Sequence, residues 1–310
     1  MIAPTPNTRR ARAQRAIPAV VAAAATVLLV ATGCSAQSAA PATTSTADVP
    51  SVPVDTDAAK LLPASIASSK VLRVAIPTNE PPTQYYQAGT QHMTGINPDI
   101  ARLIGATLGL KVEISVANFD SIIPGMAAGR YDMTVSSMTP TTERMKVLDF
   151  VDYMQIGSAI AAPKGNPSKL SQKTLCGHKV GLLTGSYQLS VNIPDYDKAC
   201  AAAGKQKIET NEFQDTRQAI SALTSGRVDA VFADSPIVAY AAKQNPGIEV
   251  VDTFDVTPVS AGVTKDPKLV PAIGAALASL ITSDAYTKTL DKYGLGSGAI
   301  TDARVNVPQD

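Results

Sequence analysis

The order of hydrophobic and polar positions predicts a strand, a helix and a second strand at the start of the folded part. The stretch KVLRVAIP, residues 70–77, is a short apolar run with β-branched residues, which is typical of a buried strand. In the helix that follows, Asn97 is the expected N-cap, Pro98 fits the first turn, and Gly109 ends it. Its apolar positions recur on one face: Ile100, Leu103, Ile104 and Leu108. Because KVEISVA, residues 111–117, returns to a strand, the pattern predicts an α/β fold with a mostly parallel sheet.

An internal repeat predicts two similar lobes. The stretch MAAGRYDMTVSSMTP, residues 126–140, aligns with LTSGRVDAVFADSP, residues 223–236. In both, a glycine stops a helix, an aspartate opens a strand, and polar residues follow before a proline. Ligands of open α/β sheets bind beyond the carboxyl ends of the strands. The polar residues of both lobes are therefore expected to face a common cleft.

Composition shows that the chain can bury a core. It has 310 residues, of which 45% are hydrophobic and 17% charged, and this length suits two ordinary domains better than one. The formal charge is +1, but four basic residues lie near the N-terminus: Arg9, Arg10, Arg12 and Arg15. Without them, 23 basic and 26 acidic residues leave a net charge of −3. A slightly acidic body with 5% aromatic residues is unlike a nucleic-acid binder, which needs a basic face.

The N-terminus has the layout of an export signal. A basic start precedes an apolar run from Ile17 to about Thr32, which is too short for a comfortable membrane span. An uncleaved anchor helix is the alternative. The ending VATGC is similar to a bacterial lipobox, with Ala31 where leucine is usual. We therefore predict a signal peptide over residues 1–33 and a lipid on Cys34 that anchors the exported protein to the outer face of the cell membrane.

Residues 34–69 are predicted to be a flexible tether. The stretch 35–59 is rich in alanine, serine, threonine and proline and shows no apolar period. Such a composition is typical of a linker that holds a folded part away from a membrane.

The two remaining cysteines are expected to form a disulfide. If Cys34 carries lipid, Cys176 and Cys200 are left as a pair, and an exported chain meets an oxidising compartment. Two buried free thiols are the alternative. A metal site is not expected, because no CxxC motif or histidine cluster accompanies the cysteines.

The two repeats place opposite charges at equivalent strand ends. Arg144 follows Ser136, Ser137 and Thr139, so hydroxyls, helix N–H groups and a guanidinium are expected to converge on one anion. A carboxylate matches the planar fork of arginine. Asp234, in the second lobe, could accept hydrogen bonds from an ammonium. The pair suits the α-carboxylate and α-amino group of an amino acid, although most such residues are solvated surface charges.

Several stretches, in the same order along the chain, resemble one known family. GINPDIARLIGATLG is similar to its signature, although Asn97 and Pro98 depart from the usual acidic and aliphatic residues. The stretch 119–154 closely matches its most diagnostic region, and GLLTGSYQ and GRVDAVFADSPIVAY match its second lobe. Over residues 70–295 the chain therefore resembles the bacterial extracellular solute-binding proteins of family 3, the binding lipoproteins of polar amino-acid ABC importers.

The resemblance implies how the ligand carboxylate is held. Arg144 would clamp it, helped by Thr139 and by backbone groups near Ser137. The turn from the second lobe would add hydroxyl and N–H donors, with Thr184, Ser186 and Tyr187 as its side chains. Ser137 replaces a frequent glycine, and Tyr187 stands where a small residue or threonine is common, so both would narrow the pocket.

The resemblance also assigns the ammonium site and the side-chain pocket. Asp234 would hold the ammonium, helped by the carbonyl of Ser136. Phe119 would cover the ligand, with a core aromatic as the alternative. Glu80, if it faces the cleft rather than solvent, would favour a cationic or hydrogen-bond-donating side chain. The expected ligand is a polar or charged amino acid, with a basic or amide side chain slightly favoured.

The implied architecture is the two-lobed, type II periplasmic-binding-protein fold. We expect lobe 1 over residues 70–162, lobe 2 over 163–257, and a return to lobe 1 with a C-terminal tail over 258–310. AIAAPKG, residues 159–165, and DVTPVSAGV, residues 255–263, would be the two hinge strands. The lobes of a monomer would close on the amino acid and deliver it to an ABC permease with its ATPase subunits, without a cofactor.

Two other function classes stay open from the sequence. A cleft enzyme of the cyclohexadienyl or arogenate dehydratase type has the same fold and would need a general acid, for which Glu80 is the candidate. The amino-acid clamp and the lipoprotein tether favour binding instead. A sensory ectodomain would need a transmembrane segment after the lobes, and none follows TDARVNVPQD, residues 301–310.

Overall fold

The computed structural model describes residues 49–310. The predicted signal peptide, the lipid site Cys34 and the first part of the tether lie outside the described residues. The strands are β1 Val71–Ile76, β2 Tyr85–Tyr86, β3 Met93–Thr94, β4 Lys111–Val116, β5 Met133–Met138, β6 Leu148–Pro163, β7 Lys179–Leu183, β8 Glu209–Phe213, β9 Ala230–Asp234 and β10 Ile248–Thr264. The helices are α1 Thr56–Lys60, α2 Ala64–Ser69, α3 Ile96–Thr107, α4 Phe119–Ala127, α5 Thr142–Met145, α6 Ile193–Ala202, α7 Thr216–Thr224, α8 Ser235–Gln244, α9 Leu269–Ile281 and α10 Asp284–Lys292. A π-helical turn, Gln188–Asn192, precedes α6, and a 3-10 turn, Gly296–Gly298, follows α10.

Eight strands form one mixed sheet in the order β4-β1-β5-β10-β6-β9-β7-β8. Three parallel strands lie at each end, because β1 pairs with β4 and β5, and β7 pairs with β8 and β9. The long strands β6 and β10 pair antiparallel with each other in the centre. The parallel sheets need helical crossovers, which α3, α4, α6 and α7 supply. The predicted α/β fold with two similar lobes is confirmed.

The two long strands carry the chain between the lobes. Near one end β10 pairs with β5 through residues 260–263, whereas β6 pairs with β9 through residues 158–161. The pairing of β6 and β10 is irregular in between, with a register shift between Phe254 and Thr257. The crossing of β10 coincides with the predicted stretch 255–263. That of β6 comes earlier than expected, because residues 158–161 already pair with β9 of lobe 2.

Separate apolar cores support the two lobes. In lobe 1, the buried faces of α3 and α9 pack on one side of β1 and β5, and Phe119, Ile122 and Phe150 lie in a second cluster. In lobe 2, two further clusters lie around Phe232 and Val231 of β9, whose side chains alternate between the two faces of the sheet. Each lobe therefore has its own packing, which leaves the cleft between them free for polar groups.

The predicted tether is wrong in its last third. Within it, α1 and α2 are folded, and Ala58, Leu62 and Ile66 are buried in the lobe 1 core. Asp55 caps α1 by accepting hydrogen bonds from two backbone N–H groups, and its own N–H donates to the carbonyl of Thr107. The tether was predicted from the linker-like composition of residues 35–59, and these few apolar contacts leave no periodic pattern in the sequence.

A disulfide lies in lobe 2. The predicted disulfide between Cys176 and Cys200 is confirmed, with the two Cα atoms 5.6 Å apart.

Within residues 49–310, no single helix is long and apolar enough to cross a membrane. One pair of helices, α9 and α10, passes the test by length and composition, but the pair is bent by 80°.

Candidate functional site

A cavity lies between the lobes, at the carboxyl ends of the parallel strands. Nine of the ten predicted site residues line it: Glu80, Phe119, Ser136, Ser137, Thr139, Arg144, Ser186, Tyr187 and Asp234. Lobe 1 contributes the end of β5 and the loops after β1 and β5, and lobe 2 contributes the end of β9 and the turn after β7. Both lobes therefore contribute polar side chains to one cleft.

Arg144 forms one wall of the cavity and connects the two lobes. Its guanidinium donates to the carbonyl of Thr139 at 2.6 Å and to that of Gly185, in lobe 2, at 2.8 Å. It also lies 5.6 Å from the centre of the Phe119 ring, within the range of a cation–π contact. Burial lowers the pKa of Arg144 to about 10, against the attraction of Asp234 and Asp310. The guanidinium is therefore positioned, charged at neutral pH and poorly solvated.

The expected group of free N–H donors beside Arg144 is smaller than predicted. Helix α5 has only four residues, so it supplies little of a helix dipole. The N–H of Arg144 donates to the hydroxyl of Thr141, and the N–H of Thr142 donates to the carboxylate of Asp310. An anion at this wall would depend mainly on the guanidinium.

Asp234 lies at the end of β9 on the opposite side of the cavity. Its carboxylate accepts a hydrogen bond from Gln188 Nε2 at 2.9 Å. Burial raises the pKa of Asp234 to about 6, while this hydrogen bond and the positive charge of Arg144 act in the other direction. A buried carboxylate of this kind is stabilised by a cation, because the attraction replaces lost solvation.

Glu80 faces the cleft. It is 3% exposed, and its carboxylate accepts from the Thr216 N–H at 2.9 Å and hydroxyl at 2.6 Å, and from Gln84 Nε2 at 3.1 Å. Thr216 begins α7 in lobe 2, so this contact also crosses the cleft. Burial raises the pKa of Glu80 to about 7, although the bonds from Thr216 lower it.

Ser137 has the left-handed backbone conformation, with φ of 51°. Few residues other than glycine adopt this conformation, which explains why glycine is frequent at this position in the family that the sequence resembles. Its N–H donates to the hydroxyl of Tyr153 at 2.9 Å, and Tyr153 donates in turn to Asn97 at 2.6 Å. The Ser137 N–H therefore already has a partner within the protein.

The turn after β7 is only partly as predicted. Thr184 does not line the cavity, because its hydroxyl and N–H both donate to the carbonyl of Phe213. Ser186 and Tyr187 do line it, but the Tyr187 hydroxyl donates to the carbonyl of Gln309 at 2.7 Å, and the Ser186 oxygen accepts from the Leu189 N–H. The hydroxyls of this turn are bonded within the protein, so the turn shapes the wall of the cavity and offers few free donors to a ligand.

Several cavity-lining residues are not among those predicted from the sequence. Gln188 and Thr216 bond the two carboxylates, and Gln84 connects Glu80 to Asn97. The repeat contains a signal for one of them, since Thr216 begins the helix after β8 as Phe119 begins the helix after β4. Apolar or small residues complete the lining: Thr83, Leu183, Ala233 and Ile237.

Metal binding has no support in the described part of the chain. No group of three or more histidine, cysteine, aspartate or glutamate side chains is arranged to hold a metal ion in residues 49–310.

Comparisons with known proteins identify the family of the chain. The model of the family "Bacterial extracellular solute-binding proteins, family 3" matches residues 72–296. The arginine-binding protein ArgT of Corynebacterium glutamicum is 27% identical over 248 residues, which cover 79% of this chain and 81% of that protein.

Two solved structures share the architecture. An ancestral arginine-binding protein bound to arginine is 33% identical, with a TM-score of 0.66 over 73% of this chain and 98% of that one. The ancestral amino acid-binding protein AncCDT-1, a precursor of cyclohexadienyl dehydratase, is 30% identical, with a TM-score of 0.64 over 74% and 97%. Since the family match covers well over half of its residues, the chain belongs to the bacterial extracellular solute-binding proteins of family 3.

Proposed function

We propose that this protein captures a free amino acid with a cationic side chain between its lobes and delivers it to an ABC permease. One observation carries the proposal. Among the described residues that line the cavity, Arg144 is the single basic side chain, against the two carboxylates of Glu80 and Asp234. A ligand with one carboxylate and two cationic groups would balance these three charges.

The two ends of the cavity suit different parts of this ligand. Arg144 would pair with the α-carboxylate, because a guanidinium fork matches its geometry. Asp234 would hold the α-ammonium, aided by the Ser136 carbonyl, and Phe119 would cover the apolar part of the ligand. Thr139, Ser137, Ser186 and Tyr187 would shape the surrounding wall. Thr184 supports the turn rather than the ligand.

Glu80 would recognise the cationic side chain. Its carboxylate is buried with hydrogen-bond donors but no paired cation in the cavity lining of the described chain, a costly state that a guanidinium or ammonium would relieve. A neutral amide would gain hydrogen bonds but no charge neutralisation. The arginine-binding relatives support this preference.

Binding can be measured by thermal shift across the twenty amino acids, followed by calorimetry. A ligand that binds only the native state raises the melting temperature by mass action. We expect L-arginine to give the largest shift, followed by other basic or amide amino acids. If no amino acid shifts the melting temperature and calorimetry shows no heat, the proposal is wrong.

The role of Arg144 can be separated from a general effect of charge. Arg144→Ala should lower arginine affinity by about 30-fold or more, because it leaves the ligand carboxylate desolvated without its partner. Arg130→Ala is the control, since Arg130 is exposed and stacks on Tyr131 outside the cavity. Equal loss in both variants would contradict the assignment.

We also propose export and anchoring through a lipid on Cys34, with the folded monomer presented outside the cell membrane. Metabolic labelling with a palmitate analogue should modify the wild-type protein, whereas Cys34→Ala should remain unlabelled. Labelling of both proteins, or of neither, would contradict the anchor.

The dehydratase alternative has one supporting observation. A buried carboxyl group with a pKa near neutral is suited to general-acid chemistry, and Glu80 has this property. We favour binding because Glu80 is bonded across the cleft to Thr216 and because Arg144 and Asp234 together suit an amino acid. Turnover of prephenate or arogenate by the purified protein would show that it is a dehydratase rather than a binding protein.

A further inference from the structure

The C-terminal tail, residues 302–310, is fixed along the edge of lobe 1. The carbonyl of Arg304 accepts from the Asp152 N–H at 3.0 Å, and the Asn306 N–H donates to the carbonyl of Phe150 at 2.9 Å. The side chain of Asn306 accepts from the Phe150 N–H at 2.8 Å, and the Arg304 guanidinium pairs with Asp152 at 3.1 Å. These contacts hold the tail against β6, so the last residues start from a fixed position.

Beyond Asn306 the tail reaches the cleft and contacts both lobes. The Gln309 N–H donates to the carbonyl of Pro140, in lobe 1, at 3.0 Å. The Gln309 carbonyl accepts the hydroxyl of Tyr187, in lobe 2, at 2.7 Å. The Asp310 carboxylate accepts from the Thr142 N–H at 2.8 Å and from its hydroxyl at 3.0 Å. The backbone of Gln309 is therefore bonded to lobe 1 through its N–H and to lobe 2 through its carbonyl.

These contacts lie next to the proposed ligand. The Tyr187 ring lines the cavity, and Thr142 belongs to the same short helix as Arg144. If the lobes separate, Pro140 moves away from Tyr187, and the bond between Tyr187 and Gln309 has to break. No cavity-lining residue comes from the tail itself in the described chain, so its effect on a ligand is indirect.

We propose that residues 306–310 form a clasp that holds the lobes closed and slows ligand release. The clasp rests on the proposed function for its ligand, but the contact between tail and lobes exists independently of it. Tyr187 then has two roles: its ring forms the wall of the cavity, and its hydroxyl joins lobe 2 to the tail.

Two measurements on the full chain test the clasp. The first is stopped-flow dissociation of L-arginine from the wild type, Tyr187→Phe, Asp310→Ala and the double variant. Each single variant should release arginine about 2- to 10-fold faster, as expected for the loss of one or two hydrogen bonds, with little change in the association rate. Because both act through the tail, their effects should be less than additive.

A matched control is Tyr196→Phe. The Tyr196 hydroxyl is likewise hydrogen-bonded, here as the acceptor from Gln172 Nε2 in lobe 2 at 2.8 Å, but Tyr196 does not line the cavity and its bond does not involve the tail. This variant should release arginine at the wild-type rate. Equal acceleration in Tyr196→Phe would indicate a general loosening of lobe 2 and would overturn the clasp.

The second measurement, hydrogen exchange of the ligand-free protein, does not depend on the ligand. The C-terminal peptide should be protected through the Gln309 N–H, and Asp310→Ala should remove that protection. A tail that exchanges freely in the wild type, or single variants with wild-type release rates, would overturn the proposal. If no amino acid binds at all, the proposed function fails, and the exchange experiment still decides whether the tail is docked on lobe 1, which the clasp requires.

Discussion

Replacing Glu80 by glutamine changes one charge in the cavity and almost no volume. The carboxylate is fully buried, its three hydrogen bonds come from Thr216 and Gln84, and its pKa is raised to about 7. When a cationic side chain binds beside it, the carboxylate becomes fully ionised and charge-paired. Glutamine keeps one acceptor oxygen for Thr216 but loses the charge and the oxygen that accepts from Gln84, so the electrostatic part of ligand selection is isolated by comparing a charged with a neutral ligand.

The expected loss follows from the strength of charged hydrogen bonds in a buried site. Such a bond contributes about 1.5–3 kcal/mol, and a neutral one about half of that. Together with the lost attraction between opposite charges, Glu80→Gln should weaken L-arginine by about 10- to 100-fold. L-glutamine has no side-chain charge, and its affinity should change by less than about 3-fold.

Isothermal titration calorimetry with both ligands measures the effect as a ratio of affinities. The control is Glu113→Gln, because Glu113 lies on β4 with 41% of its side chain exposed and pairs with Lys111 on the surface. If arginine and glutamine weaken by the same factor in Glu80→Gln, the reasoning is refuted, since the variant would then have altered the shape of the cavity rather than its charge.

Three further outcomes are expected. Because burial raises the pKa of Glu80 from 4.5 to about 7, the ligand-free protein should lose stability as pH rises between these values. Urea unfolding should show a contribution from Glu80 on the order of 3 kcal/mol that Glu80→Gln removes, while the raised pKa of Asp234 leaves a loss of the same sign up to about pH 6. Asp234→Ala should abolish detectable amino-acid binding in calorimetry while circular dichroism stays native, and an unfolded spectrum would leave its role structural. Removing the disulfide by Cys176→Ser with Cys200→Ser should cost about 3 kcal/mol of stability, given a sequence separation of 24, yet change arginine affinity by less than about 3-fold, since neither cysteine lines the cavity.

The repeat and the periodic segments were readable from the sequence because they depend on local rules. Alternating and 3.6-residue patterns identify strands and helices, and the glycine, aspartate and proline positions repeat at equivalent points of the two lobes. Arg144 and Asp234 could be paired because they follow equivalent strands, β5 and β9. The disulfide followed from cysteine number and compartment.

Contacts between distant segments could not be read in the same way. Gln188 meets Asp234 only in the folded lobe 2, and Thr216 meets Glu80 only across the cleft between the lobes. Helices α1 and α2 lie in a linker-like stretch, and their burial depends on the surface that α3 and α9 present. The short α5 likewise leaves less N–H capacity than its sequence suggested.

The sequence by itself determined the fold class, the family and the opposite charges on the two walls. Each of these follows from local residue patterns and from the repeat between the two lobes. Only the tertiary structure decided that Glu80 faces the cavity, that Thr184 does not, and that Gln309 joins both lobes. The physical reason is that a cleft between lobes is made by juxtaposition. Its charges, burial and hydrogen bonds arise from residues far apart along the chain, such as Glu80 and Thr216 at 136 positions, which no local pattern records.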